Sequence, residues 1–250
     1  MTLSTVLLAW LRSSALLVAF PQALGLAVPV LLRGMVAGGL ALVLSSGAAP
    51  AHEAGLANAL GEILLGLGLG WCLRLPMIAV QSAGETMGHG TTAASLLMPG
   101  LSPEAGGGGN AWQAAYTWLG LVVWFGVGGP EALVQTLAGS ARLVPLGHAM
   151  LGTGLSLGQL GPLVARASAL AMVLCLPPLL ASILAQWGLG LVFRASARLH
   201  LYGFALPVAS LAAAGALALA LPTWPTLMSR SLGWSVQAAS AFSAGMAGQP

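Results

Sequence analysis

The stretch EILLGLGLGWCLRLPMIAVQSAGETMG, residues 62–88, decides how the rest of the chain is read. It is apolar enough for a bilayer. Yet it carries Glu62, Arg74 and Glu85, glycine at every second position from Gly66 to Gly70, and Pro76 near its middle. Either it is not a membrane segment, or it is surrounded by protein rather than lipid. Composition settles the first half of that choice. The chain is 58% hydrophobic and 5% charged, with a mean hydropathy of +0.92, whereas soluble domains carry about 25% charged residues. A soluble chain of 250 residues could not cover its surface with 8 basic and 5 acidic side chains. The sequence is that of an integral membrane protein.

Every base is Arg and every acid is Glu. The surplus of three positive charges includes no basic run and no aromatic-interleaved basic patch, so nucleic acid is not an expected partner. Cys72 and Cys175 lie inside apolar runs and read as small core residues. Arg12 is misplaced for a signal-peptide n-region and no cleavage site follows, so the first apolar run is expected to be retained.

Apolar runs fall at 3–20, 24–44, 59–82, 112–128, 167–191 and 201–221, each near the ~20 residues a spanning helix needs. No alternating barrel pattern appears, and helices satisfy their own backbone groups in lipid. The expected fold is all-α: a polytopic protein of about six long apolar helices or helical hairpins. Residues 45–55 and 99–110 read as loops, the second containing four consecutive glycines that cannot hold a helix cheaply. The segment 129–166 is mixed. Residues 222–250 form a Ser/Gly/Ala-rich tail with one amphipathic helix around Trp224–Phe242, which divides the chain into a helical domain, 1–221, and a tail, 222–250. Arg142 and Arg166 fall in one loop and Arg194 and Arg198 in the next, so a simple alternating topology fits the positive-inside rule poorly.

Arg33, Glu62 and Arg74 lie inside apolar runs, where a lipid-facing charge costs roughly 2.5–3.5 kcal/mol or more. Glu62 and Arg74, twelve residues apart, are separated by about 18 Å along a helix and about 120° around it. They cannot pair with each other, and each needs a partner from another element or another chain. Snorkelling at run ends is the alternative. Gly66 and Gly70 form a GxxxG pair, flanked by Gly61 and Gly84, and Gly188 and Gly190 recur in the fifth run; such faces let another backbone approach closely.

Two patterns are decoys. GLGLG, residues 66–70, resembles half of a dinucleotide fingerprint but lies in an apolar helix rather than after a strand. GLSLG, residues 154–158, fits a nucleophile pattern at Ser156, with His200 and Glu131 as conceivable partners, in a chain so rich in small residues that chance explains it. His52, His89, His148 and His200 show no metal-ligand spacing.

Several stretches carry a family likeness. They are VPVLLRGMVAGGLAL (28–42, with Pro29 and Arg33), ALGEILLGLGLGW (59–71), AVQSAGETMG (79–88, with Gly84 and Glu85), RLVPLG (142–147) and the segment 176–207, with Arg194 and Pro207. In this order they resemble the FliR proteins of the bacterial flagellar export gate, whose relatives are the SctT (SpaR-type) proteins of injectisomes. The resemblance covers about residues 10–221. It implies one subunit of a helical assembly in the inner (cytoplasmic) membrane, with FliP-like and FliQ-like gate subunits and a FlhB-like switch protein. That assembly surrounds a closed pore for unfolded export substrates. It implies no catalysis, cofactor or metal. Gly66, Gly70 and Gly84 would serve close helix packing between subunits. Arg33, Glu62, Arg74 and Glu85 would be buried charges paired across interfaces. The loop containing Met98, Pro99, Glu104, Gly106, Gly107, Gly108 and Gly109 would be the plug, with Met98 where the family has Asp. The acidic-Asn-Gln-Arg-Gly stretch typical of the injectisome branch does not come after Glu85, which favours the flagellar branch. A secondary transporter using Glu62 and Arg74 for ion coupling is the alternative from a different class.

Overall fold

The computed structural model describes residues 3–19, 29–46, 55–96, 111–149, 157–195 and 202–247. The described residues are almost entirely helical and contain no strand. The helices are α1 (Leu3–Ala19), α2 (Val30–Ser46), α3 (Leu56–Leu96), α4 (Ala111–Gly126), α5 (Gly129–Leu143), α6 (Leu157–Ala195), α7 (Tyr202–Ala220) and α8 (Trp224–Met246), with a single 3₁₀ turn, Leu221–Thr223, before the last. Among the described residues three stretches are long and apolar enough to cross a membrane: Leu56–His89, Leu160–Val192 and Pro207–Met246. The broken pair α4–α5 makes a fourth if it counts as one span, and α1 and α2 are shorter. The protein is all-α and polytopic.

The mixed segment that begins at Gly129 contains α5, which the apolar runs did not mark. Its boundaries reflect local chemistry. Gly128 ends the preceding turn with φ of 84°, a left-handed conformation that glycine takes without a Cβ clash. Pro130 opens the helix, Glu131 sits in its first turn and Arg142 in its last, each favoured there by the helix dipole. The 222–250 segment carries α8, whose buried residues recur at helical spacing: Met228, Leu232, Ser235, Ala239, Phe242 and Met246. Its buried serines satisfy themselves on their own helix, Ser231 donating to the Met228 carbonyl at 2.7 Å and Ser235 to that of Leu232 at 2.9 Å.

The chain divides into two compact units. The first comprises 1–76, 124–167 and 228–250. Here α1 buries Thr5, Leu8, Arg12, Ser13, Ala15 and Leu16 along one face. Against it α2 presents Ala37, Ala41 and Ser45, each one turn apart. Small side chains at this spacing allow close approach, and Ser13 Oγ donates across the gap to the Ala37 carbonyl at 2.9 Å. On α3, a Cβ at Gly68 would overlap the Phe242 ring of α8, so the missing side chain makes the seat for that ring.

The second unit comprises 77–123 and 168–227. Its organising residue is Tyr116 of α4, fully buried. Gly84 of α3 makes room for it: a Cβ there would lie 2.8 Å from the Tyr116 Cβ and 2.7 Å from the Gln113 Cα. The Tyr116 ring meets that of Trp224 with centroids 5.3 Å apart. The Tyr116 hydroxyl donates to the Leu174 carbonyl at 3.3 Å. That carbonyl needs an outside donor. Its α-helical donor would be the amide of residue 178 and its 3₁₀ donor that of residue 177, and both are proline. In an apolar setting an orphaned carbonyl has no water to turn to. Tyr116 thus repairs the backbone gap of α6.

Tyr116→Phe should therefore lower thermal stability by about 1–3 kcal/mol, the cost of leaving a buried acceptor unsatisfied. Pro178→Ala restores an amide donor to Leu174, so the same Tyr116→Phe change in that background should cost much less. Equal costs in both backgrounds, measured by thermal unfolding in mild detergent, would remove the assignment.

Candidate functional site

Glu62 lies in the first third of α3, where the chain is apolar on both sides. Its partner is Arg12 of α1. Arg12 Nε donates to Glu62 Oε2 at 2.5 Å and Arg12 Nη2 to Oε1 at 3.0 Å, and both side chains are fully buried. This is the fork-to-fork arrangement in which a guanidinium meets a carboxylate with two parallel bonds.

The glycines of α3 are what allow the two groups to meet. A Cβ at Gly66 would run into the Arg12 carbonyl and lie 2.8 Å from the Ala15 Cβ. One at Gly70 would lie 2.6 Å from the Leu16 carbonyl and 2.7 Å from the Ala19 Cβ. The GxxxG face thus receives α1 of the same chain. Within this unit it is not a free surface for another subunit, which is where the sequence resemblance had placed it. Glu62 likewise finds its partner inside the chain. Arg12 is the site residue that sequence reasoning missed. It also sits within an apolar run, the same signal that marked Arg33, Glu62 and Arg74.

The turn after α5 completes the site. Arg12 Nη2 also donates to the Val144 carbonyl at 3.0 Å, and Nη1 to Ser140 Oγ at 3.4 Å. Glu62 Oε1 accepts from the Gly147 amide at 2.8 Å. Gly147 holds φ of 85°, and this left-handed turn aims its N–H at the carboxylate. Gly61, beside Glu62, has no Cβ to strike the Ala149 carbonyl, so the turn can lie against α3. RLVPLG is thus the segment that surrounds the ion pair with backbone donors and acceptors. Removing two charges from water costs several kcal/mol per ion, and only good geometry with further hydrogen bonds offsets it. Here Glu62 accepts from three donors and Arg12 reaches three acceptor groups. Chemically the arrangement is a clamp. Its carboxylate oxygens are occupied and it offers no open position for substrate.

The remaining predicted charges are placed differently. Arg74 is partly buried, with Nη1 3.5 Å from the Ala19 carbonyl and its Nε buried without a hydrogen-bond partner among the described residues. Arg33 is also partly buried, and its Nε is likewise unpartnered among them. Glu85 is placed on the outside of the single chain. It is exposed, with its carboxylate 3.9 Å from His89, because it projects from α3 on the side away from buried Ala83, Gly84 and Met87. A Cβ at Gly188 or Gly190 would meet nothing within 4 Å among the described residues. The loop holding Met98, Pro99, Glu104 and Gly106–Gly109 lies outside the described residues, as do Ser156 and His200. Glu131 is exposed and accepts from Gln135 at 3.1 Å. Among the described residues no cluster of three or more His, Cys or Glu could hold a metal.

Residues 3–233 match the family described as bacterial export proteins, family 1. The chain belongs to that family, the one formed by FliR and SctT proteins. The match takes in α1, α3 and the turn after α5, and therefore every residue of the clamp. A relative is the secretion system apparatus protein SsaT of Salmonella typhimurium, 25% identical over 154 residues, which is 60% of this chain. The match spans 58% of that relative's own length. Family members of this kind are membrane-embedded components of secretion machinery, and the long apolar helices of this chain fit that setting.

Breaking the clamp from one side should be costly. Arg12→Met or Glu62→Leu alone should destabilise the protein by about 3–5 kcal/mol, because each leaves a buried charge without its partner. The double variant should recover much of that loss. Strictly additive losses in a double-mutant cycle, read from thermal unfolding and protease resistance, would show that the two charges are not coupled.

Proposed function

We propose that this protein is the FliR/SctT-type subunit of the export gate of a bacterial type III secretion system, set in the inner membrane. The observation that carries the proposal is the family match across residues 3–233. The clamp supports it from a second direction. A carboxylate held by three donors, with no exposure, is suited to locking helices together. It is poorly suited to binding and releasing a coupling ion, which argues against the transporter alternative. On this reading FliP-like and FliQ-like subunits and a FlhB-like switch protein cover much of the apolar surface that the chain leaves open. Unfolded proteins are then the transported substrates, and the protein has no enzymatic step of its own.

The residues after Glu85, which lack the injectisome-type Asn-Gln-Arg-Gly stretch, favour the flagellar branch. The similarity to SsaT favours a second reading, an injectisome gate. Complementation separates them. In a strain lacking its flagellar FliR protein, the chain with its cognate gate partners should restore swimming in soft agar. Restored effector secretion in an injectisome mutant, without restored swimming, would establish the second reading. Restoration of neither, with the protein present in the membrane, would count against the gate assignment.

The 99–110 loop is the proposed plug, on the strength of its four glycines and the family resemblance. Consecutive glycines hold regular structure only at an entropic cost, which suits a segment that occludes a pore and moves aside. Deleting residues 100–109 should make cells carrying the assembled gate leak small solutes. Leakage equal to that of the unaltered gate, with assembly confirmed, would mean that this loop is not the plug.

A further inference from the structure

A slot of about 310 Å³ opens between α2 and α5. From α2 it is lined by Leu40, Val43 and Leu44, and from α5 by a stripe at helical spacing that runs from Val134 through Ala138 to Arg142. The wall is aliphatic along its length and ends in a single cation. Arg142 is exposed in the last turn of α5, and the described residues give it no ion-pair partner. Among the described residues no carboxylate lines the slot. Glu131 lies at the opposite end of α5, engaged with Gln135. The slot therefore has the polarity of an amphiphile: one long apolar wall, then one positive charge.

Shape and charge select among amphiphilic partners. A wall of aliphatic side chains that ends in one cation is complementary to an unbranched hydrocarbon chain with an anionic head. From Val134 to Arg142 the α5 stripe runs about 12 Å. Half the hydrocarbon core of a bilayer is about 15 Å. An acyl chain in the slot would thus put its headgroup near Arg142, where a guanidinium can take a phosphate with two hydrogen bonds. We propose that this slot binds one acyl chain of an anionic phospholipid, with Arg142 holding the headgroup phosphate. The site is separate from the Arg12–Glu62 clamp and does not depend on the export-gate reading.

The test is lipid retention by the full-length protein, with its natural partners where these co-purify, extracted in mild detergent. Bound lipids are measured by native mass spectrometry after incubation with vesicles of equal parts phosphatidylglycerol and phosphatidylethanolamine. The unaltered protein should retain phosphatidylglycerol in preference. Arg142→Gln, a change at an exposed side chain, should lower that preference about fivefold, the effect of one basic group near an anionic surface. Arg142→Lys should keep most of it. Ala138→Trp, which fills the slot, should reduce retention of both lipids. Undiminished phosphatidylglycerol in Arg142→Gln, or no preference in the unaltered protein, would overturn the proposal. A photoreactive residue at position 138 that joins to a protein chain instead of a phospholipid would overturn it equally.

Discussion

A pair of opposite charges with no access to solvent organises the first unit. Arg12 and Glu62 come from helices far apart in the chain, and the turn at 144–147 comes from a third place again. The pair is tolerable only when all three are assembled, because a half-built site would leave a charge in an apolar interior. Partial assembly is thereby penalised, and α1, α3 and the end of α5 are tied into one arrangement. Apolar packing alone would specify that arrangement weakly, since the leucine and alanine surfaces of these helices resemble one another.

Small residues make this electrostatic arrangement reachable. Gly66 and Gly70 admit the α1 backbone, Gly61 admits the turn, and Gly68 receives the Phe242 ring. A guanidinium extends only so far from its helix, so the spacing between α1 and α3 sets whether it can meet the carboxylate. In the second unit the same economy appears at Gly84, which leaves room for Tyr116, and Tyr116 in turn supplies the donor that two consecutive prolines deny to Leu174. In both units an apolar helix keeps a polar or irregular feature because a neighbouring element completes its hydrogen bonding.

Much apolar surface remains uncovered by the chain itself. An 18-residue apolar window of Leu56–His89 is 61% buried, against 33% for that of Leu160–Val192 and 22% for that of Pro207–Met246. Leu184, Trp187 and Leu191 of α6 and Val30, Leu31 and Met35 of α2 are among the large exposed side chains. Surfaces of this kind are at home against lipid or against other apolar chains, and they agree with a membrane-embedded component of a larger apparatus.

The sequence alone established the membrane setting, the helical class and most helix positions, because apolar runs near bilayer length admit few other structures. It also marked Glu62 as a residue that must be paired and the α3 glycines as a close-packing face. It passed over α5, whose mixed composition hid start and stop signals at Gly128, Pro130 and Arg142. It did not name Arg12 as the partner of Glu62, nor Gly147 as the amide that completes the site. Glu85 shows the converse, an acidic residue within a family-like motif that the helix turns outward. Composition and spacing report the cost of burying a charge, and that cost is local to one helix. Which cation relieves it depends on how distant helices cross, and only the tertiary structure decides that.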